Sequence, residues 1–148
     1  MAGQSLPRPI DILMVEDNPG DVRLTREALK DCKVLNEIHV VEDGVAALDY
    51  LHRRAPYENA LRPDLVLLDL NLPRMDGRQV LAAMKSDPVL KVIPVVVLTT
   101  SAAEEDILRA YHLSANCYVT KPVDLHQFIR IVKAIEGFWL TMVTFPPR

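Results

Sequence analysis

The chain has 148 residues, 49% of them hydrophobic and 25% charged, with a formal charge of −3. This is the balance of one ordinary globular domain with apolar material for a sizeable core, and it leaves no basic stripe for nucleic acid. Two cysteines, Cys32 and Cys117, form neither a disulfide framework nor a metal-ligand spacing, and no run approaches the roughly 20 apolar residues of a membrane span; a cytoplasmic protein with reduced thiols is expected.

Residues 1–9 are polar with two prolines and read as a short N-terminal tail rather than a signal peptide. Residues 10–148 read as one domain. Ile10, Ile12, Leu13, Met14 and Val15 form a first apolar run that stops at Glu16-Asp17. A helical pattern with Val22, Leu24, Ala28 and Leu29 follows, opened by Asn18-Pro19 and Asp21. Ile38 to Val41 form the second run, and Ala46, Ala47, Leu48 and Leu51 a helix after Gly44. Residues 53–63 (RRAPYENALRP) are longer than a connection needs; they fit either a surface insertion or a docking loop.

Leu65-Val66-Leu67-Leu68 are a third run, followed by a helix with Val80, Leu81 and Met84 after Gly77. Val95-Val96-Val97-Leu98 are a fourth, followed by Ile107, Leu108 and Tyr111 after Ser101. Tyr118-Val119-Thr120 are a shorter fifth, and a last helix starts near Asp124. Short continuous apolar runs read as parallel strands buried on both faces. Five of them alternating with five helices predict an α/β fold, a doubly wound parallel sheet with right-handed crossovers.

In such a sheet, ligands bind outside the carboxyl ends of the strands. Here those ends carry Glu16-Asp17, Asp69, Thr99-Thr100-Ser101 and Lys121-Pro122. Three carboxylates at close range repel unless a cation lies among them, and carboxylate oxygens suit a hard divalent ion such as Mg2+. Asp69 is then a candidate nucleophile towards phosphorus, forming an acyl phosphate. The metal and the Lys121 ammonium would neutralise charge on the transferring group, and the Thr99 hydroxyl would donate to a phosphoryl oxygen. Taken singly, each residue has a plainer role: Glu16 and Asp17 could cap the next helix, Thr99 could be an ordinary strand residue, and Lys121 a solvated lysine. Pro122 directly after Lys121 restricts the backbone there and suggests a cis bond.

Val15-Glu16-Asp17-Asn18, Leu68-Asp69-Leu70-Asn71-Leu72-Pro73 with Asp76-Gly77, Leu98-Thr99 and Tyr118-Val119-Thr120-Lys121-Pro122 resemble the receiver domain of bacterial response regulators. The resemblance runs from about Ile10 to Val132, in the family's order and spacing. It implies a flavodoxin-like five-stranded sheet in the order 2-1-3-4-5. It also implies that Asp69 is the phosphoacceptor, served by a histidine kinase, and that Glu16, Asp17, Asp69 and the Asn71 backbone carbonyl hold Mg2+. By the same resemblance Thr99 is the switch hydroxyl, Tyr118 the aromatic that changes rotamer with it, and Lys121 the partner of the phosphoryl group. Lys121-Pro122 matches the family's cis peptide, and Gly77 its turn glycine after the third strand, where positive φ or a close backbone approach is expected. The long loop, Lys85-Ser86-Asp87-Pro88 and Leu98-Thr99-Thr100-Ser101 are more specifically similar to the small regulators partnered with bacterial phytochrome kinases. Glu16 stands where many receivers have Asp, and Thr100 where many have a smaller residue. Such a switch is not an enzyme with turnover; slow self-catalysed phosphotransfer and dephosphorylation are implied.

Other classes fit less well. A phosphatase with an Asp nucleophile carries a second acid two residues on, where this chain has Asn71. A flavodoxin-like nucleotide or flavin binder wants a phosphate loop after the first strand, where Glu16-Asp17 repel phosphate without a metal. An interaction module with vestigial phosphorylation also fits the pattern.

With no room for an attached output domain before Arg148, signalling is expected to run through a partner-binding face, which in the resembled family is the fourth helix, fifth strand and fifth helix. At 100° per residue, Leu125, Phe128, Ile129, Val132, Ile135, Trp139 and Val143 share one face of the last helix. Ile131, Ala134, Phe138, Met142 and Phe145 form a second apolar stripe beside it, if the helix continues through Gly137, and His126, Arg130 and Lys133 mark the polar side. One face on a sheet does not require both stripes. The tail either folds back over its own core or forms a homodimer interface. The dimer reading predicts twice the chain mass by light scattering at micromolar concentration; a monomer mass with and without phosphorylation removes it.

Overall fold

The computed structural model describes residues 9–30, 36–99 and 117–120. In chain order these form β1 (Ile10–Val15), α1 (Pro19–Lys30), β2 (Asn36–Val41), α2 (Gly44–Leu51), β3 (Leu65–Asp69), α3 (Gly77–Ser86), a 3-10 turn at Leu90–Val92, β4 (Val95–Thr99) and β5 (Cys117–Thr120). The strands make one parallel sheet in the order β2-β1-β3-β4-β5. The flavodoxin-like order is therefore as expected. The fourth and fifth helices, Lys121 and Pro122 with their expected cis bond, and the proposed dimer face of Ile131, Phe138, Met142 and Phe145 lie outside the described residues. Among the described residues, no helix is long and apolar enough to cross a membrane.

The central strands form because their side chains are buried on both faces. Every residue of β1 and β3 is buried, as are Val95 to Leu98 of β4. Leu13, Leu68, Val80, Leu81 and Met84 have no exposure and share one cluster with α2 and α3. At about 1.5–3 kcal/mol for each large side chain removed from water, this sheet–helix interface is the main source of cohesion. β2 departs from the expected pattern of burial on both faces. It begins two residues earlier, at Asn36, and its residues alternate between half-buried and exposed until Val41. It pairs with β1 alone among the described strands, and its exposed alternate residues, Glu37 and His39, lie on one face.

The 53–63 segment does more than bulge into solvent. Tyr57 and Ala60 pack against the main core cluster, and the Tyr57 ring lies 5.3 Å from that of Tyr50 on α2. The segment re-enters the sheet where the Asp64 amide donates to the Asp11 carbonyl at 2.7 Å and the Asp64 carboxylate accepts from the Asp11 amide at 2.9 Å. It thus roofs the amino end of β1 and β2. Burial pushes the Asp11 carboxyl above its ordinary range, opposed by a hydrogen bond from His39.

Asp87 gives the Ser86-Asp87-Pro88 phrase a physical role. Its Oδ1 accepts from the amides of Val89 at 2.8 Å and Leu90 at 3.1 Å, starting the turn that leads Leu90 and Ile93 into the core. Those amide bonds favour the carboxylate and lower its pKa. A group with a depressed folded-state pKa stabilises above its unfolded value and loses that contribution as pH falls through the folded value. Asp87→Ala is accordingly expected to lower Tm at neutral pH, with the difference from wild type shrinking below about pH 4, as thermal melts across a pH series would record.

Candidate functional site

The site is built by strand register. Val15 of β1 pairs with Leu68 of β3, so the next residues, Glu16 and Asp69, emerge side by side at the carboxyl end of the sheet. The Glu16 amide still donates to the Val41 carbonyl at 3.0 Å, which carries the β1–β2 ladder one residue past β1. Glu16 and Asp69 are 1% and 3% exposed, whereas Asp17 is open to solvent. One carboxylate oxygen from each of Glu16, Asp17 and Asp69 lies within 4.8 Å of the others. Two buried acids and one accessible acid around a common point fit a hard divalent cation that keeps part of its water shell.

The competing role for Glu16 and Asp17, capping α1, is filled by another residue. Asn18 Oδ1 accepts from the amides of Gly20 at 2.8 Å and Asp21 at 3.2 Å, and its carbonyl accepts from Val22. The Glu16 carboxylate instead accepts the Asn18 amide at 3.3 Å. The longer side chain of Glu16 is thus curled towards its own turn. Asn18, legible in the sequence as a helix start, caps α1 in place of either acid.

On the other side, Asp69 Oδ1 accepts the Asn71 amide at 3.1 Å. This holds the first residues after β3 around the carboxylate and brings the Asn71 backbone to the cluster. The turn then closes on Gly77, whose amide donates to the Leu70 carbonyl at 2.9 Å. A Cβ here would collide with the Asp69 carbonyl oxygen and lie 2.6 Å from the Leu70 Cα. Of the two explanations for this glycine, close approach is the one realised; no described glycine has positive φ.

A further support was not visible in the sequence. Arg74, at φ 67°, places a guanidinium nitrogen 3.3 Å from Asp43 Oδ2. Asp43 also caps α2 by accepting from the Ala46 amide at 2.7 Å. Beside it, Gly44 leaves no space for a Cβ against the Met75 carbonyl. The β3–α3 turn is therefore clasped to the start of α2. The Asp43-Gly44 start signal was readable; its pairing with Arg74 spans 31 residues and has no local pattern.

Of the remaining predicted residues, Thr99 ends β4 and is level with Thr120 of β5, while Tyr118 is level with Val97. Asp69 is level with Leu98, so the Thr99 backbone lies one residue beyond Asp69 at the carboxyl end of the sheet and that of Tyr118 one residue short of it. Lys121 follows β5 and lies outside the described residues, as do Thr100 and Ser101.

A family model for the response regulator receiver domain matches residues 12–133. The chain belongs to this family. The receiver is 49% identical over 146 residues to the response regulator Rcp1 of Synechocystis sp., covering 99% of each chain. Among solved structures it is similar to the phosphorylated cyanobacterial phytochrome response regulator RcpA, with 54% identity, a TM-score of 0.78, and coverage of 95% of this chain and 100% of that one. It is also similar to a Mn2+-bound form of Rcp1, with 50% identity, a TM-score of 0.77, and coverage of 94% and 100%. The receiver fold and its two-component role are thereby established, and the acidic cluster has the donor set for a divalent metal.

The packing at Gly77 gives a direct test of how the receiver turn is held. Gly77→Ala is expected to destabilise by about 1–3 kcal/mol, the usual range for overpacking. Urea unfolding would measure it as a lower midpoint with an unchanged slope.

Proposed function

We propose that this receiver takes a phosphoryl group on Asp69 from a histidine kinase of the phytochrome type. Glu16, Asp17, Asp69 and the Asn71 backbone carbonyl hold Mg2+ in this reading. The observation that carries it is the meeting of Glu16, Asp17 and Asp69 within 4.8 Å at the carboxyl ends of β1 and β3. An Asp69 oxygen attacks the phosphorus of the phosphohistidine; the P–O bond forms as the P–N bond breaks, and the imidazole leaves with the electron pair. Bound Mg2+ supplies positive charge for the equatorial oxygens. Asp17 and Glu16 orient that charge, Lys121 adds an ammonium, and Thr99 donates its hydroxyl to a phosphoryl oxygen.

The phosphorylated state differs from the resting state by new contacts to Thr99 and Lys121, with Tyr118 following Thr99. Those differential contacts bias a two-state equilibrium at the partner face. The receiver acts as a switch that self-dephosphorylates slowly, without multiple turnover. Its domain spans 10–148 after a short tail, it works in the cytoplasm, and it dimerises through the fourth helix, fifth strand and fifth helix with Ile131, Phe138, Met142 and Phe145 in the contact. The phytochrome assignment is supported by the names of similar proteins, RcpA and the bacteriophytochrome regulator AtBRR among them. Against a phosphatase, the residue two beyond the nucleophile is Asn71, which has no carboxyl to act as acid or base.

Incubation with acetyl phosphate and Mg2+ is expected to give a base-labile phospho-adduct, and a phosphorylated phytochrome-type kinase to give the same adduct faster. Asp69→Asn abolishes it. Equal labelling of that variant would reassign the acceptor, and transfer from unrelated kinases alone would reassign the partner.

A further inference from the structure

A second group of metal-ligand side chains lies at the other end of the sheet. Asp11 and Glu37 are level in the β1–β2 register, and His39 is two residues beyond Glu37. A strand turns alternate side chains to the same face, so Glu37 and His39 share a face. One carboxylate oxygen from each of Asp11 and Glu37 and one ring nitrogen of His39 lie within 4.8 Å of one another. His39 Nε2 is 3.5 Å from Asp11 Oδ1. Donors bound at about 2.1 Å around a tetrahedral ion sit about 3.4 Å apart, so a metal could replace the His39–Asp11 hydrogen bond with little movement of either side chain. Glu37 is exposed and can complete the set by a rotamer change.

The surroundings favour a ligand independently of the donor atoms. A cavity of about 350 Å3 opens on these three residues, with Tyr50, Tyr57 and Pro56 among its walls. It has room for an ion together with its remaining waters. Asp11 is only 6% exposed, although it sits in a strand otherwise made of apolar residues. The Asp64 carboxylate holds the Asp11 amide, and the Tyr50 ring lies 6.0 Å from that of His39. Supporting contacts of this kind are what hold ligands in place around a bound metal.

We propose that Asp11, Glu37 and His39 form a second cation site, selective for a divalent transition ion of the zinc class. The imidazole separates it chemically from the all-oxygen cluster at Asp69, because a ring nitrogen favours zinc-class ions over Mg2+. The two clusters are also apart in space: Asp11 and Glu16 are five strand residues from one another, roughly 16 Å. The proposal does not rest on phosphorylation of Asp69.

The test is calorimetric titration of the full chain with Zn2+ in excess Mg2+, beside Co2+-induced shifts of the His39 ring resonances. One Zn2+ per chain is expected, with affinity about tenfold or more weaker in His39→Ala and in Glu37→Gln and unchanged in Asp17→Asn. Labelling of Asp69 by acetyl phosphate in Mg2+ should be retained in both His39→Ala and Glu37→Gln. The exposed Glu37→Gln change guards against misfolding of the first variant. Absence of stoichiometric Zn2+ binding overturns the proposal, as does binding that survives both substitutions or is lost in Asp17→Asn.

Discussion

Parallel pairing of β1 with β3 is the constraint from which the acidic cluster at Asp69 follows. Main-chain hydrogen bonds fix Val15 against Leu68, and the sheet then delivers Glu16 and Asp69 together whatever their mutual repulsion. The cost of bringing carboxylates together out of water is carried by the apolar burial of β1, β3 and β4 on both faces. A rigid, fully buried pair of strands is a platform on which like charges can be held in waiting for a cation. The same repulsion explains why a divalent ion belongs to the chemistry: it relieves a charge conflict that the fold creates.

Around that platform the loops do the finer positioning. Asn18 takes over the capping of α1, so neither neighbouring acid is needed at that helix start. The Asn71 amide holds one oxygen of Asp69 and Gly77 permits the tight return into α3. Arg74 and Asp43 join that return to the start of α2. A change in the β3–α3 turn is thereby felt at α2, since the Gly44–Met75 contact leaves no slack between them.

The opposite end of the sheet shows a different economy of polar groups. Asp11 lies in a strand buried at every position, with Tyr57 of the 53–63 segment packed on the neighbouring core and Asp64 securing its amide. The insertion that looks dispensable along the sequence is thus a roof over a polar corner. The receiver has two polar ends with distinct donor chemistry: carboxylates alone beside Asp69, carboxylates with an imidazole beside Asp11.

Much of this was legible in the sequence because it is local. The runs at β1, β3, β4 and β5 and the starts of α1, α2 and α3 follow from apolar periodicity and from Asn18, Gly44 and Gly77 as punctuation. The edge character of β2 was not, because exposure depends on which strand lies next to it. Nor were the Arg74–Asp43 clasp and the Asp11–His39 pair, whose partners are brought together by chain crossings that no window of residues contains. The sequence alone determined which residue types end the strands, and with them the possible chemistry at Asp69. Tertiary structure decided which acids stand together, which residue caps α1 and what the long loop packs against, because register and packing set distances that composition does not encode.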